Sequence, residues 1–274
     1  MLNSWVMNTQ LPQSQTEGHT LFDPSRSSTF KQLEGSTYNI TYGDSSYSWG
    51  PVGTDTVEIG GATVTGQAIG LPTEVSNYFV QDVYTNGLVG LGFSSLNSIK
   101  PERQKTFFEN IVDSLDEPVF TALLRSDGVG EYEFGFVDHT KYQGDLINVT
   151  VDSSAGFWQF DSKYFIVGDG PLEQISSAPT SIADSGTSLM LLAPEVVAAY
   201  YSQVAGAVYA APSGGYVYPC NSQLPDFSVA VGPSYLATVP GSLINFSNSG
   251  KNTTTGEDCK FIMPLLLWSY VTDH

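Results

Sequence analysis

Basic residues are scarce in this sequence of 274 residues. The chain has 10 Lys and Arg against 28 Asp and Glu, which gives a formal net charge of −18 at pH 7. Nucleic acids and anionic membranes attract proteins through basic surfaces, so this balance argues against both as partners. Charged residues make up 14% of the chain and hydrophobic residues 41%, a composition that favours a folded globule over a disordered chain.

Metal-binding patterns and long apolar runs are also missing. The sequence has 3 histidines, scattered, and neither a His-x-x-x-His nor a Cys-x-x-Cys spacing, so we expect no metal site and no cofactor. It has no Gly-x-Ser-x-Gly elbow and no complete phosphate-binding glycine loop. No run reaches the ~18 apolar residues of a membrane span, and the segment after Met1 lacks the pattern of a signal peptide.

The cysteines and glycosylation sequons bear on where the protein works. Cys220 and Cys259 are the only cysteines, compatible with one disulfide in an oxidising compartment and equally with two free thiols. Sequons for N-linked glycans, Asn-x-Ser/Thr, begin at Asn39, Asn148, Asn245 and Asn252. Together these features favour a secreted protein.

Alternation of apolar and polar residues dominates the chain and predicts β-strands. Residues 57–59 and 62–64 alternate on either side of Gly60-Gly61, which is a strong signal for a two-residue hairpin turn. Residues 38–42 alternate in the same way and return through residues 47–49 after the polar tip 43–46. We therefore predict a second hairpin there.

Helical periodicity is clear in two places only. Apolar residues recur at helical spacing over residues 107–115 and again over residues 196–204, the second stretch beginning after Pro194. Each stretch follows an apolar, strand-like run that contains a glycine turn. This repetition predicts an all-β protein of two similar lobes, an N-terminal one at residues 1–138 and a C-terminal one at residues 139–274.

An aspartate between two apolar runs is the strongest candidate for chemistry. Asp184-Ser185-Gly186-Thr187-Ser188 is preceded by Ile-Ala and followed by Leu-Met-Leu, and we expect these flanks to bury the turn. The neighbouring hydroxyl and N–H groups can hold the carboxylate by hydrogen bonds. Asp-Ser-Gly alone is typical of an ordinary turn. The flanks and the following helix favour a functional carboxylate.

The chain resembles the pepsin-like aspartic proteases, most closely their fungal secreted members. The segment 184–188 is similar to the family's second catalytic motif, and the segment 40–46 to the flap hairpin that closes over substrate. Residues 86–93 resemble the segment that threads behind the first catalytic loop. Further landmarks are at residues 23–30 and 224–227, and the resemblance extends from about Trp5 to Cys259.

The resemblance implies a bilobal pepsin-like fold and an aspartic-type endopeptidase activity. In this family two aspartates, one from each lobe, activate a water that attacks the peptide bond. Asp184 is expected to be one of them. The substrate is expected to be a peptide or protein bound in extended form between the lobes of a secreted monomer, with no cofactor.

The same resemblance assigns roles to individual residues. Tyr42 is expected to be the flap tyrosine, its hydroxyl bonded to the indole of Trp5, although an ordinary cross-strand aromatic remains the alternative. Asp44 is expected to attract a basic substrate side chain, with a solvated turn residue as its alternative. A disulfide between Cys220 and Cys259 is implied. The expected substrate-binding set is Tyr42, Gly43, Asp44, Gly186 and Thr187.

Both ends of the sequence depart from the family pattern. Counting back from Trp5 by the family's spacing places the first catalytic aspartate before Met1, and residues 260–268 do not follow the family's closing strands. We therefore expect incomplete N- and C-terminal lobes, as in a truncated or misread gene product. A catalytically inactive, peptide-binding homologue is the alternative function. An all-β carbohydrate-binding or glycosidase domain explains the composition but neither the Asp184 motif nor the flap-like hairpin.

Overall fold

The computed structural model of the chain describes residues 3–125, 128–187, 189–211, 215–219, 221–244, 247–251 and 258–264, the last two ranges by their backbone. Strands far outnumber helices in these residues, which confirms the predicted all-β class. The chain folds as two compact units, Met1–Asp145 with Ser153–Phe157, and Leu146–Asp152 with Trp158–His274.

The first unit contains eight strands and two short helices among its described residues. The strands are β1 (Trp5–Val6), β2 (Lys31–Thr41), β3 (Tyr47–Ile59), β4 (Ala62–Gly70), β5 (Glu74–Val75), β6 (Gly87–Leu88), β7 (Phe120–Leu123) and β8 (Glu131–Phe134). The helices are α1 (Asn77–Gln81) and α2 (Phe107–Ile111). Short 3-10 turns lie at Gln13–Gln15, Pro24–Arg26, Ser94–Leu96 and Val112–Ser114.

One sheet organises this unit, and both predicted hairpins belong to it. Its strand order is β2-β3-β4-β1-β6, with β5 added to β3, while β7 and β8 form a separate pair. Gly60 and Gly61 join β3 to β4 with φ angles of 59° and 85°, values that glycine adopts without strain. The antiparallel pairing of β2 with β3 confirms the hairpin predicted around residues 43–46.

The core of the first unit lies against this sheet. Because side chains alternate across a strand, β2 buries Tyr38 and Ile40 and turns Asn39, which lies between them, outwards. These two pack with Trp5, Met7 and Val52 in one cluster. Helix α2 belongs to a second cluster, and its predicted extension to residue 115 continues as the 3-10 turn Val112–Ser114.

The second unit contains ten described strands and one helix. The strands are β9 (Gln159–Asp161), β10 (Tyr164–Val167), β11 (Glu173–Gln174), β12 (Thr180–Ile182), β13 (Val208–Ala210), β14 (Gly215–Tyr218), β15 (Phe227–Val231), β16 (Tyr235–Val239), β17 (Ser247–Lys251) and β18 (Asp258–Pro264). The helix is α3 (Pro194–Ser202), and a 3-10 turn lies at Gly241–Leu243.

Helix α3 packs with strands of two four-stranded sheets in the core of this second unit. The sheets have the orders β11-β10-β15-β16 and β13-β14-β18-β17, and β9 pairs with β12 alone. Pro194 occupies the first turn of α3, as predicted, and the helix buries its apolar stripe. The buried cluster consists of Phe165, Val167, Ile175, Val196, Val197, Tyr200, Tyr201, Val204, Tyr218, Phe227 and Ile244.

Some sequence predictions fall outside this description. Cys220 and the side chain of Cys259 lie outside the described residues, and their pairing stays a prediction. The sequons at Asn245 and Asn252 lie there as well. Among the helices of the described part, none has the length and apolar character needed to cross a membrane.

Candidate active site

The hairpin tip between β2 and β3 has a tightly bonded backbone. The N–H of Ser45 donates to the carbonyl of Tyr42 at 2.9 Å, and the N–H of Tyr42 donates to the carbonyl of Ser46 at 2.8 Å. Ser45 adopts a φ of 70°, a left-handed conformation that costs energy in a residue with a side chain. The tip therefore presents Gly43 and Asp44 to solvent on a defined turn.

Tyr42 is anchored to a buried tryptophan. Its hydroxyl oxygen accepts a hydrogen bond from the Trp5 indole Nε1–H at 2.8 Å, as the family resemblance implied. Trp5 is fully buried, and the ring of Phe79 meets both residues edge to face, with centroids 5.0 Å from Trp5 and 5.7 Å from Tyr42. The three rings hold the base of the hairpin tip in one orientation.

The same surroundings keep the Tyr42 phenol protonated. Burial raises the pKa of Tyr42 to about 12, and the hydrogen bond from Trp5 only partly offsets that rise. Because the Trp5 indole is a donor, Tyr42 keeps its own O–H for a further acceptor. At neutral or acidic pH, Tyr42 is thus a neutral hydrogen-bond donor beside the tip.

One carboxylate oxygen of Asp44 accepts hydrogen bonds within the hairpin, and the other accepts none from a described residue. Its Oδ1 accepts from the backbone N–H of Ser46 at 2.9 Å and from the Ser46 hydroxyl at 2.6 Å. The Asp44 side chain is exposed, while Ser46 is buried. Ser46 thereby orients the carboxylate, and Oδ2 faces solvent without a described partner.

The segment predicted to thread behind the first catalytic loop lies beside β1. Gly87 and Leu88 form β6, which pairs antiparallel with Val6 and Trp5. A Cβ at Gly87 would lie 2.3 Å from the carbonyl oxygen of Trp5, so this approach requires glycine. Gly90 N–H donates to the Ser4 hydroxyl at 3.2 Å. These contacts hold the backbone of Ser4, Trp5 and Val6 in place.

The Asp184 turn holds its carboxylate with two local donors. The N–H of Gly186 donates to Oδ1 at 2.9 Å, and the Thr187 hydroxyl donates to Oδ2 at 2.7 Å. The N–H of Ala183 donates to the Trp158 carbonyl at 3.0 Å, which continues the pairing of β12 with β9. Asp184, Gly186 and Thr187 thus meet in one turn, as predicted.

The expectation that apolar flanks bury this turn is wrong. Residues 183–187 are exposed, and the flanking Ile182 and Leu189 are half-buried. The physical reason is the position of β12, which pairs only with β9 within the described part of the chain and leaves its other edge uncovered. Local bonds rather than burial orient the Asp184 carboxylate.

The hairpin tip and the Asp184 turn present hydrogen-bonding groups to solvent. Among them, no group of three or more His, Cys, Asp or Glu residues is placed to hold a metal ion. The hairpin tip belongs to the first unit and the Asp184 turn to the second. Each presents carboxylate, hydroxyl and backbone groups to solvent, a set suited to hydrogen bonding and proton transfer.

Comparison with known proteins decides the family. The profile described as eukaryotic aspartyl protease matches residues 2–265. The chain belongs to this family. The aspartyl protease match extends past Cys259 on one side and to residue 2 on the other, so it is longer than the resemblance recognised from motifs.

Fungal aspartic proteases are among the most similar relatives. An aspergillopepsin A-like aspartic endopeptidase of Aspergillus fumigatus is 66% identical over 257 residues, covering 94% of this chain and 60% of the relative. An aspartic protease of Coccidioides posadasii is 51% identical, covering 94% and 59%. Penicillopepsin-1 of Penicillium janthinellum is 46% identical, covering 91% and 75%. The chain thus spans about 60% of the length of the first of these relatives.

Phe79 was not identified from the sequence as a neighbour of Tyr42 and Trp5. Phe79 is buried and contacts both Trp5 and Tyr42 through its ring. It lies in α1, a helix of 5 residues that is too short to show a periodic pattern. In the sequence, the only indication that Phe79 is buried is the apolar run Tyr-Phe-Val between two polar residues. This run does not show which residues Phe79 contacts.

Proposed function

We propose that this chain is the central part of an aspartic-type endopeptidase in which Asp184 is one of the two catalytic carboxylates. The observation that carries the proposal is the Asp184 turn, where Gly186 N–H and the Thr187 hydroxyl each bond one carboxylate oxygen. Family membership and the relatives' names support the reaction class. The partner aspartate is proposed to lie before Met1 in the complete polypeptide.

The proposed chemistry divides acid and base roles between two carboxylates. One carboxylate accepts a proton from a water molecule, which attacks the peptide carbonyl carbon, while the other, protonated, donates to the carbonyl oxygen. Two adjacent carboxylates share one proton because their negative charges repel each other, an effect for which the aspartic proteases are the established example. The Gly186 N–H and the Thr187 hydroxyl hold the plane of the Asp184 carboxylate.

The hairpin tip is proposed to bind the peptide. Gly43 is exposed and its backbone N–H and carbonyl can pair with an extended substrate strand, while Tyr42 offers its O–H. The open Oδ2 of Asp44 is proposed to attract a Lys or Arg side chain of the substrate. Asp44→Ser should lower kcat/KM for a substrate with a basic side chain by about tenfold while leaving an all-apolar substrate little changed.

Peptide cleavage by the polypeptide encoded in the complete transcript tests the proposal. We expect hydrolysis of an extended peptide at acidic pH, inhibited by a pepstatin-like compound and reduced by about 10⁴-fold or more in Asp184→Asn. Asp169→Asn is the matched control, because Asp169 is an exposed residue of the same unit. Thr187→Val should lose about tenfold or more in kcat, and Thr187→Ser should retain most of it.

The inactive, peptide-binding alternative predicts a different outcome. If the complete polypeptide bound a pepstatin-like inhibitor but cleaved no peptide, and Asp184→Asn changed neither property, the chain would be a binding homologue. Cleavage that survives Asp184→Asn unchanged would contradict the proposed role of Asp184. Secretion, a monomeric state and a Cys220–Cys259 disulfide are further proposals, supported by the relatives' family and by the cysteine count.

A further inference from the structure

Two N-glycosylation sequons lie wholly within the described residues, and strand β2 presents one of them outwards. In Asn39-Ile40-Thr41 the first and third side chains are exposed, and Ile40 between them is buried in the core. Strand β2 is the first strand of its sheet, so one of its edges faces away from β3. Alternation along this edge strand therefore displays the acceptor amide and the Thr41 hydroxyl together.

A groove lined by both polar and apolar residues lies beside Asn39. It has a volume of about 600 Å³ and lies between the outer face of β2 and the segment of residues 95–103. Its lining combines hydroxyl, amide and cationic groups from Thr37, Asn39, Ser95, Asn97, Ser98, Lys100 and Arg103. At ~30 Å³ for each water-sized group, this space holds about 20 such groups, more than one N-acetylhexosamine residue contains.

The chemistry of this groove is unusual for so acidic a chain. Lys100 and Arg103 are exposed, and neither forms an ion pair with any described residue, although acidic residues outnumber basic ones 28 to 10. Cationic and amide N–H donors bind the hydroxyl and acetamido oxygens of a sugar without requiring a negative charge. The lining therefore combines donors for the oxygen atoms of a ligand with apolar surface from Leu96, Ile99 and Pro101.

An exposed tryptophan flanks Asn39 on its other side. Trp49 of β3 is the register partner of Asn39, and side chains directly opposite in an antiparallel pair lie on the same face. The Trp49 side chain is 40% exposed, unlike Trp5, which is fully buried. An exposed indole offers an apolar surface against which the C–H face of a pyranose ring can pack.

We propose that Asn39 carries an N-linked oligosaccharide whose first N-acetylglucosamine lies in this groove. The inference rests on the proposed passage of the protein through the secretory pathway. There the Asn39 Nδ2 attacks C1 of a lipid-pyrophosphate-linked oligosaccharide. The C1–O bond to pyrophosphate breaks, the lipid pyrophosphate leaves, and the amide proton passes to a base of the transferase. The N–C1 bond then holds the first sugar at the mouth of the groove.

The other described sequon provides an internal comparison. Asn148 and Thr150 are exposed on a loop of the second unit, and Val149 between them packs against Gly232. Asn148 is not among the residues that line the groove, so a glycan at this position projects into solvent. The groove therefore predicts a difference between a glycan at Asn39 and one at Asn148.

Glycopeptide mapping of the secreted complete polypeptide tests whether Asn39 is modified. The protein is directed into the secretory pathway of a yeast host, and glycans are released with peptide N-glycosidase in ¹⁸O-water, which labels each formerly occupied asparagine. We expect the label at Asn39 in the natural sequence and in Thr41→Ser, which keeps the sequon, and not in Thr41→Ala. Unlabelled Asn39 in secreted protein of natural sequence would overturn the inference.

Enzymatic release from the native protein tests the position of the first sugar. We expect release from Asn39 to be at least about tenfold slower before denaturation than after it, equivalent to about 1.4 kcal/mol of protection. Arg103→Ala should speed native release, whereas any glycan at Asn148 should leave at similar rates in both states. Equal native and denatured rates at Asn39 would overturn the placement in the groove. Because occupancy is measured without any peptidase assay, an inactive protein modified at Asn39 would contradict only the proposed function.

Discussion

The hydrogen bond between Trp5 and Tyr42 joins two residues that are 37 positions apart in the chain. It links a fully buried ring to the base of an exposed tip, so the hairpin tip is tied directly to the core of its unit. Removing the acceptor would leave a buried indole N–H without a partner, which costs about 1–3 kcal/mol. The Tyr42 hydroxyl oxygen therefore contributes both to the stability of the core and to the position of the tip.

We predict that Tyr42→Phe lowers the free energy of unfolding by about 1–3 kcal/mol and also lowers the peptide turnover proposed for the complete polypeptide. Tyr47→Phe is the matched control on the same hairpin, because the Tyr47 hydroxyl donates to Glu74 and is not bonded to the core. Urea unfolding and kcat/KM measure the two effects. Equal behaviour of the two variants would contradict the anchoring role of Tyr42.

A second residue, Glu109, makes part of the stability depend on pH. One of its carboxylate oxygens accepts from the N–H and hydroxyl of Ser94, and the other from the N–H and hydroxyl of Thr106. Burial alone would raise the pKa of Glu109, but these hydrogen bonds outweigh it and the net pKa is lowered from 4.5. The unfolded state therefore binds more protons, and stability falls as the pH drops from about 4.5 through the lowered pKa.

Glu109→Gln should lower the melting temperature at pH 6 by a few degrees, since losing charge-assisted bonds costs about 1–3 kcal/mol. The same variant should lose less on acidification to about pH 3 than the natural chain does. Glu102→Gln is the control, because its exposed carboxylate accepts no hydrogen bond within the described residues. Calorimetry at both pH values checks this, and parallel pH profiles for Glu109→Gln and the natural chain would refute it.

At the scale of elements, the close pairing of β6 with β1 depends on Gly87. Gly87 combines a φ of 151° with a Cβ position 2.3 Å from the Trp5 carbonyl oxygen. Gly66 has a φ of 86° but nothing within 4 Å of its Cβ position. A substitution at Gly66 therefore introduces backbone strain alone, whereas a substitution at Gly87 introduces both strain and a steric clash.

We predict that Gly66→Ala destabilises the chain by about 1 kcal/mol through strain alone, and Gly87→Ala by at least about 2 kcal/mol more. Because the Trp5 backbone must move to relieve the clash, Gly87→Ala should also shift tryptophan fluorescence. Thermal unfolding and emission spectra provide both measurements. Similar effects from the two substitutions would show that the β1–β6 contact adapts to a methyl group.

Predictions of elements from the sequence succeeded where the signal is local. The β3–β4 hairpin was predictable because Gly60-Gly61 supplies the positive φ angles of its turn and the flanking residues alternate. The Asp184 turn was predictable as a turn, but its exposure was not, because the flanking apolar residues do not reveal whether another strand covers β12. Phe79 was missed because its partners, Trp5 and Tyr42, come from distant parts of the chain.

At the scale of the whole molecule, the formal charge of −18 produces long-range electrostatic repulsion. Local attraction exists as well, for example where Lys141 pairs with Glu131 and with Glu133. Salt screens both effects. Screening of the repulsion raises the stability of the folded chain, whereas screening of the ion pairs lowers it. The response of stability to salt therefore tells which one prevails.

We predict that the melting temperature at pH 7 rises when NaCl is increased from about 0.01 to 0.1 M, which shortens the screening length from ~30 to ~10 Å. Near the pI of about 4.2 the same change should have little effect, because the net charge is close to zero. Scanning calorimetry at the two pH values makes the comparison. A fall in melting temperature with salt at pH 7 would mean that local ion pairs prevail.

The all-β class, the two hairpins and the two helical stretches follow from the amino-acid sequence alone, because strand alternation, glycine turns and helical spacing are short-range properties of the chain. The aspartyl protease motifs were identified from the sequence as well, through their resemblance to the family. The folded structure was needed to establish that Tyr42 bonds to Trp5 beside Phe79, that the Asp184 turn is exposed, and that Asn39 borders a groove. These outcomes depend on which distant segments pack together. That packing follows from the burial of the whole apolar surface, and no single stretch of sequence contains it.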